Sequence, residues 1–152
     1  MGSKRLRIYV DADVLMAAAA GDPFGAPSVL VISANVTPLG LLCAETAVLE
    51  STRNVDQKLP EARSALDDLI EHGVHRVDDP APDLEDEFCA RADDKDAIHL
   101  AAAVVHDCRY LATYNVEDYQ PGHPDVEVVR PGRLVEKLRG LITPALFEAE
   151  VW

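Results

Sequence analysis

Cysteine is scarce in this chain, and its spacing excludes two kinds of chemistry. Cys43, Cys89 and Cys108 are widely separated, and no Cys-x-x-Cys pair occurs. An odd, scattered set of thiols reads as reduced side chains rather than a disulfide framework or a zinc site. Long apolar runs are also missing. No stretch approaches the roughly 20 residues that a membrane helix needs. The first residues, Met1 to Arg7, lead straight into a short apolar strand and an acid, so neither a signal peptide nor a membrane anchor is expected, and the expected location is cytoplasmic. Positive charge is the third shortage. Lys and Arg number 14 against 27 Asp and Glu, a net charge of −13. A generic nucleic-acid binder is basic. On its own, this balance argues against RNA or DNA and for bound cations or a basic partner.

What is present fits a globular fold. The 152 residues are 48% hydrophobic, enough for a sizeable core. A single domain is expected over 1–152, with a core at about 6–139 and a tail from 140 to 152. Neither a repeat nor a low-complexity linker interrupts it. Leu6 to Val10 reads as a buried first strand and Val14 to Ala20 as a helix stopped by Gly21-Asp22-Pro23. The run from Pro27 to Val36 suits either a strand, by its β-branched content, or a helix with Pro27 in its first turn; helix is favoured. Leu39 to Cys43 follows as a strand, and Ala44 to Arg53 as a helix with Val48 and Leu49 inward. Pro60 to Glu71 is an amphipathic helix carrying Ala62, Ala65, Leu66, Leu69 and Ile70 on one stripe. Val74 to Val77 is a short strand, and Leu84 to Ala90 a helix. The helix from Asp96 to His106 is nearly all apolar and therefore central. Strands at Tyr110 to Thr113 and Val126 to Val129, and a helix from Arg133 to Arg139, complete the series. Alternating strands and helices imply a three-layer α/β/α fold around a mostly parallel sheet.

In such sheets ligands bind beyond the carboxyl ends of the strands. Asp11 and Asp13 follow the first strand, Glu50 lies in the helix after the second, and Asp96 opens the apolar helix. Asn115 and Asp118 follow the fourth strand. Carboxylates gathered on one sheet edge repel, so each ionised member needs a cation or a raised pKa. Oxygen ligands without His or Cys suit Mg²⁺ or Mn²⁺ better than zinc. A metal of that kind polarises a phosphate and lowers the pKa of water, which is the chemistry of phosphodiester hydrolysis. No Ser/His/Asp or Cys/His nucleophile arrangement is needed.

Four segments then carry a resemblance. Val10-Asp-Ala-Asp-Val-Leu15, Ala47-Val-Leu-Glu50, Asp96-Ala-Ile-His-Leu-Ala-Ala102 and Leu111-Ala-Thr-Tyr-Asn-Val-Glu-Asp-Tyr119 together resemble a PIN domain, in order and spacing, from about Leu6 to Val129. The resemblance implies a metal-dependent endoribonuclease, often the toxin of a VapC-type toxin–antitoxin pair. Its substrate would be structured RNA, its partner a basic antitoxin and its assembly a homodimer. It places the first essential acid on Asp11, the second on Glu50, the third on Asp96 and the fourth within Asn115 to Asp118. Metal ligation then falls to Asp11, Glu50, Asp96 and Asp118, with Asn115 among the catalytic positions and Asp13 and Thr113 in support. Two positions depart from the family pattern. The family commonly has Asn or Ser where this chain has Asp13, and Asp where it has Asn115. Asn115 cannot supply the same charge, and Asp13 or Asp118 is the candidate to compensate.

Simpler readings stand beside these. Asp11 can cap the helix that follows it, and Asp93, Asp94 and Asp96 can complement a helix dipole. That reading is adopted for Asp93 and Asp94, and the site is preferred for Asp11 and Asp96. Glu45 rivals Glu50 but suits a first helical turn, so Glu50 is preferred. His99 and His106 read as packing or surface histidines, and Thr113 either bonds near the site or merely ends a strand. Arg130, Arg133, Lys137 and Arg139 form a basic cluster, read as cations at a helix C-terminus rather than a phosphate patch. A catalytically silent RNA- or protein-binding scaffold is the alternative function. A receiver-like signalling module is more remote, because no Lys follows Val129.

Overall fold

A computed structural model describes residues 6–21, 24–36 and 38–140. Its frame is a five-stranded, wholly parallel sheet in the order β3-β2-β1-β4-β5. The strands are β1 (Leu6–Val10), β2 (Leu39–Ala44), β3 (His75–Val77), β4 (Tyr110–Ala112) and β5 (Glu127–Val129). The helices are α1 (Ala12–Ala20), α2 (Ala26–Val36), α3 (Glu45–Lys58), α4 (Arg63–His72), α5 (Pro82–Glu87) and α6 (Ala97–Val105), followed by α7 over 131–140.

Strand alternation divides the core into two layers. Ile8 and Val10 point to one face with Leu41, Cys43, Tyr110 and Ala112, where Val14 and Leu15 of α1, Leu30 of α2, Leu66 and Ile70 of α4, and Leu134 and Leu138 of α7 cover them. Tyr9, Leu42 and Leu111 point to the other face, beneath Leu100, Ala101 and Ala103 of α6. The side-chain period of two makes this division automatic once both faces are covered. Small residues along α6 let it lie close over β1 and β2, which explains its apolar character.

The ambiguous run is helical as α2, and the strands lie where their β-branched and apolar content places them. Three of the boundaries that differ from the sequence reading have larger shifts or a change of helix type. Helix α3 continues beyond Arg53 to Lys58. The Pro60 segment begins as a 3-10 turn, Pro60–Ala62, before α4 starts at Arg63. The next helix is α5 at Pro82–Glu87, earlier than Leu84 to Ala90, because Pro82 pre-sets the first turn. Leu49 is not inward; it is 60% exposed, since Val48, Ser51 and Val55 already fill the buried stripe of α3. Most of the tail, 141–152, falls outside the described residues. Among the described residues no helix is long and apolar enough to cross a membrane.

The sheet order creates one distinctive place. From β1 the chain moves outward to β2 and β3, then returns to add β4 on the opposite side. The crevice between the carboxyl ends of β1 and β4 is therefore a topological switch point, where open α/β sheets bind ligands. Val10 pairs with Ala112 there, so Asp11 and Thr113 emerge side by side.

Candidate metal centre

Asp11 is the N-cap of α1, with its Oδ1 accepting the Ala12 N–H at 2.7 Å. Its Oδ2 accepts the hydroxyls of Thr113 at 3.0 Å and Tyr119 at 2.8 Å. The capping and site readings of Asp11 are thus compatible: one oxygen serves the helix while the carboxylate stays inside the acidic group. Thr113, fully buried, does both things considered for it. It follows the end of β4 and also bonds to Asp11.

Asp13 sits in the first turn of α1 and turns back toward the same loop. Its Oδ2 receives the Tyr114 N–H at 3.0 Å, the Asn115 Nδ2 at 3.2 Å and the Thr113 hydroxyl at 3.3 Å. Its Oδ1 is buried without a hydrogen-bond partner. Burial and then the charge of Asp11 push its carboxyl up to about 6. Asn115 is therefore directed at Asp13, and its side chain donates rather than supplying charge.

Asp96 stands at the N-cap of α6, yet its side chain makes no capping hydrogen bond. It is buried, and its Oδ2 has no hydrogen-bond partner. Burial, then Asp11, and more weakly Asp118 raise its carboxyl to about 6, against the opposing pull of His99 and Lys95. One oxygen each from Asp93, Asp96 and Asp118 fall within 4.8 Å of one another. A backbone bond from Asp93 N to Asp118 O, 2.8 Å, stitches the two loops together. Lys95 Nζ reaches to 3.9 Å from Asp118.

Glu50 and Glu45 diverge. Glu45 forms a two-pronged pair with Arg76, at 2.9 and 2.7 Å, on the outer side of the sheet edge. Glu50 points inward, with Oε1 3.4 Å from His99 Nε2. His99 Nε2 is also 3.8 Å from Asp11 Oδ1, so Asp11, Glu50 and His99 form a second group within 4.8 Å. Burial opposes a charge on His99, but the carboxylates of Glu50, Asp11 and Asp96 outweigh it and raise its pKa.

The structure thus gathers Asp11 and Glu50 with His99 in one group and Asp96 and Asp118 with Asp93 in another, with Asp13, Thr113 and Asn115 bonded to one another beside Asp11. The basic cluster begins just past β5, with Arg130 and Arg133 at the start of α7 rather than at a helix C-terminus, and is largely neutralised: Arg130 faces Glu117 at 3.7 Å, Arg133 Glu136 at 3.2 Å and Lys137 Glu127 at 2.8 Å. Four residues near the acids were not assigned to the site by sequence. His99 lies three positions after Asp96, a spacing that puts neighbours on one helix face. Tyr119 directly follows Asp118, and Asp93 precedes Asp96 by three. For Tyr9, which sits 2.7 Å from His99 Nδ1, the sequence offers no signal beyond its place in β1.

These residues fit a hard or borderline divalent cation. The donor set is dominated by carboxylate oxygens, and the buried Asp96 Oδ2 is an acceptor that no hydrogen bond among the described residues satisfies.

The family model described as PIN domain matches residues 7–117. The chain belongs to the PIN domain family. Solved structures of similar fold include VapBC2 from Rickettsia felis bound to a DNA fragment from its promoter, 14% identical, with a TM-score of 0.64 and coverage of 82% of this chain and 98% of that one. FitAcB from Neisseria gonorrhoeae is 17% identical, with a TM-score of 0.58 and the same coverages, 82% and 98%. VapC20 from Mycobacterium tuberculosis, a sarcin-ricin loop cleaving toxin, is 21% identical, with a TM-score of 0.53 and coverages of 68% and 86%. No curated protein matches the sequence. At these identities the structural likeness carries the PIN fold alone.

Proposed function

We propose that this PIN domain is a divalent-metal-dependent endoribonuclease, the toxin of a VapC-type pair, acting on structured RNA. The observation that carries this reading is the buried Asp96 carboxylate with an unpartnered oxygen, grouped with Asp93 and Asp118 and electrostatically opposed by Asp11, which belongs with Glu50 to the neighbouring group. Acids packed this closely are unfavourable unless a cation joins them. The ion, Mg²⁺ or Mn²⁺, would be held by Asp11, Glu50, Asp96 and Asp118. When bound, it would neutralise phosphate charge and make water a better nucleophile at neutral pH.

The chain's own residues supply positioning. Thr113 and Tyr119 fix the Asp11 carboxylate, and Asp13 ties the loop at 113–115 to the first turn of α1. Hydrolysis adds water oxygen to phosphorus, breaks the bond to the leaving oxygen, and returns a proton to that oxygen. The name of VapC20 supports RNA as the substrate class. The net charge of −13 suits a basic antitoxin, and the family resemblance supports a homodimer.

The test is cleavage of mixed structured RNAs in Mn²⁺, Mg²⁺ or EDTA, beside an Asp11→Asn, Asp96→Asn double variant. Metal-dependent cleavage lost in the variant supports the reading. Cleavage persisting in the variant removes these residues from the site. If no RNA is cut in either metal and metal titration finds no binding, the nuclease reading gives way to the scaffold.

A further inference from the structure

His99 is the one nitrogen donor in the two acidic clusters found among the described residues. Its side chain is fully buried, and buried polar atoms ordinarily have partners. Nδ1 has one: it lies 2.7 Å from the Tyr9 phenol oxygen, which also accepts the Ala44 N–H at 3.2 Å. Nε2 has no hydrogen-bond partner. It is aimed between Glu50 Oε1, at 3.4 Å, and Asp11 Oδ1, at 3.8 Å. All three atoms lie within 4.8 Å of one another, a spread that one ion with bonds of about 2.0–2.2 Å can bridge with slight adjustment.

We propose that His99 Nε2 is a metal ligand alongside Asp11 and Glu50, making a mixed nitrogen–oxygen site that selects a first-row transition ion such as Mn²⁺ or Co²⁺ over Mg²⁺. The inference rests on the metal-site reading above and narrows it. Mg²⁺ demands near-ideal octahedral oxygen coordination and gives up water reluctantly. Imidazole nitrogen favours the transition ions, and affinity rises from Mn²⁺ to Co²⁺.

The second contact of the ring completes the case. For Nε2 to present its lone pair, the ring proton must sit on Nδ1, and Nδ1 faces an oxygen able to accept it. A hydrogen bond to the far nitrogen is the usual way a ligating histidine is oriented. His99 is buried, as a packing histidine would be, and its place on α6 gives it the second role. Three positions after Asp96, it is carried to the floor of the crevice by the same helix start.

Pulsed electron paramagnetic resonance of Mn²⁺ bound to the full chain tests this directly. Modulation from a directly bound imidazole nitrogen is expected in the wild type and absent in His99→Gln. The dissociation constant for Mn²⁺ should rise at least about 10-fold in His99→Gln, while that for Mg²⁺ changes by less than about 3-fold. The wild-type spectrum stands whether or not that variant folds. Tyr9→Phe, which keeps the ring, should retain the modulation but bind Mn²⁺ about 10-fold more weakly. Mn²⁺ that binds, is lost in Asp11→Asn, and yet shows no nitrogen modulation would overturn the His99 ligand while leaving the carboxylate site intact. Binding of Mg²⁺ but of neither Mn²⁺ nor Co²⁺ would overturn the His99 ligand alone, and failure of all three ions to bind would overturn the two readings together.

Discussion

The Tyr119 phenol donates a 2.8 Å hydrogen bond to Asp11 Oδ2 across 108 positions of sequence. It joins the end of β1 to the 3-10 turn at Val116–Tyr119, beyond β4. Thr113 donates to the same oxygen. Burial, reinforced by the Asp11 charge, drives the Tyr119 pKa far upward, so this hydroxyl remains a donor throughout the working pH range. Asp11 is consequently fixed before any ion or substrate arrives.

Tyr119→Phe keeps the ring packing and removes only that donor. Hydrogen bonds to charged groups contribute about 1.5–3 kcal/mol, and urea unfolding in EDTA should show a loss of that order. A loss below about 0.5 kcal/mol would mean that Thr113 alone holds the carboxylate.

Asp13 and Asp96 give the metal-free protein an inverted pH response. Both carboxyls are raised to about 6 in the folded chain by burial and by Asp11, against about 3.9 when unfolded. Between these values the folded state binds more protons, so their contribution to stability falls as pH rises from about 4 to about 6 and stays low above that. Asp96→Asn should therefore match the wild type near pH 4 and exceed its melting temperature at pH 7–8 in EDTA. A saturating divalent ion should cancel the advantage. A pH-independent difference between the two proteins would refute the assignment.

Glu45 and Glu50 separate a surface ion pair from a site residue. The Glu45–Arg76 pair is exposed on both sides, and such pairs contribute about 0–1 kcal/mol. Glu45→Gln should leave Mn²⁺ affinity within about 2-fold, whereas Glu50→Gln should weaken it at least about 10-fold, as loss of a ligand or its support does. Calorimetric titration of both variants decides, and equal effects would remove Glu50 from the centre.

The sequence made the sheet legible because β1, β2 and β4 are short apolar runs and β1, β2 and β3 each end directly before an acid. Such acids marked the carboxyl edge, where Asp11 and Glu50 meet in one group and Asp96 and Asp118 in the other. What stayed hidden depends on direction rather than composition. Leu49 looked inward because an apolar residue beside Val48 gives no phase; only the full 14-residue length of α3 fixes which stripe is buried. His99 looked like packing because α6 is apolar on nearly every side, and burial alone does not reveal where Nε2 points. Asp93 read as a helix-start acid, since the backbone bond that carries it to Asp118 joins two distant loops.

The exchange of residues at positions 13 and 115 can be tested as a pair. The PIN resemblance implies an amide or hydroxyl at the first position and an acid at the second, and this chain has Asp13 and Asn115. Asp13 Oδ2 and Asn115 Nδ2 are 3.2 Å apart, so the acid and the amide occupy opposite ends of one hydrogen bond. Swapping them preserves one charge and one donor at the crevice wall. Asn115→Asp alone would set two carboxylates against each other, and Asp13→Asn alone would remove the charge that Tyr114 N–H and Thr113 also address. The double variant Asp13→Asn, Asn115→Asp should recover stability relative to the sum of the single changes. For residues in direct contact, a coupling of about 0.5–3 kcal/mol is expected, measurable by urea unfolding of all four proteins in EDTA. Additivity within about 0.3 kcal/mol would mean that the two departures arose independently and that Asn115 does not depend on Asp13.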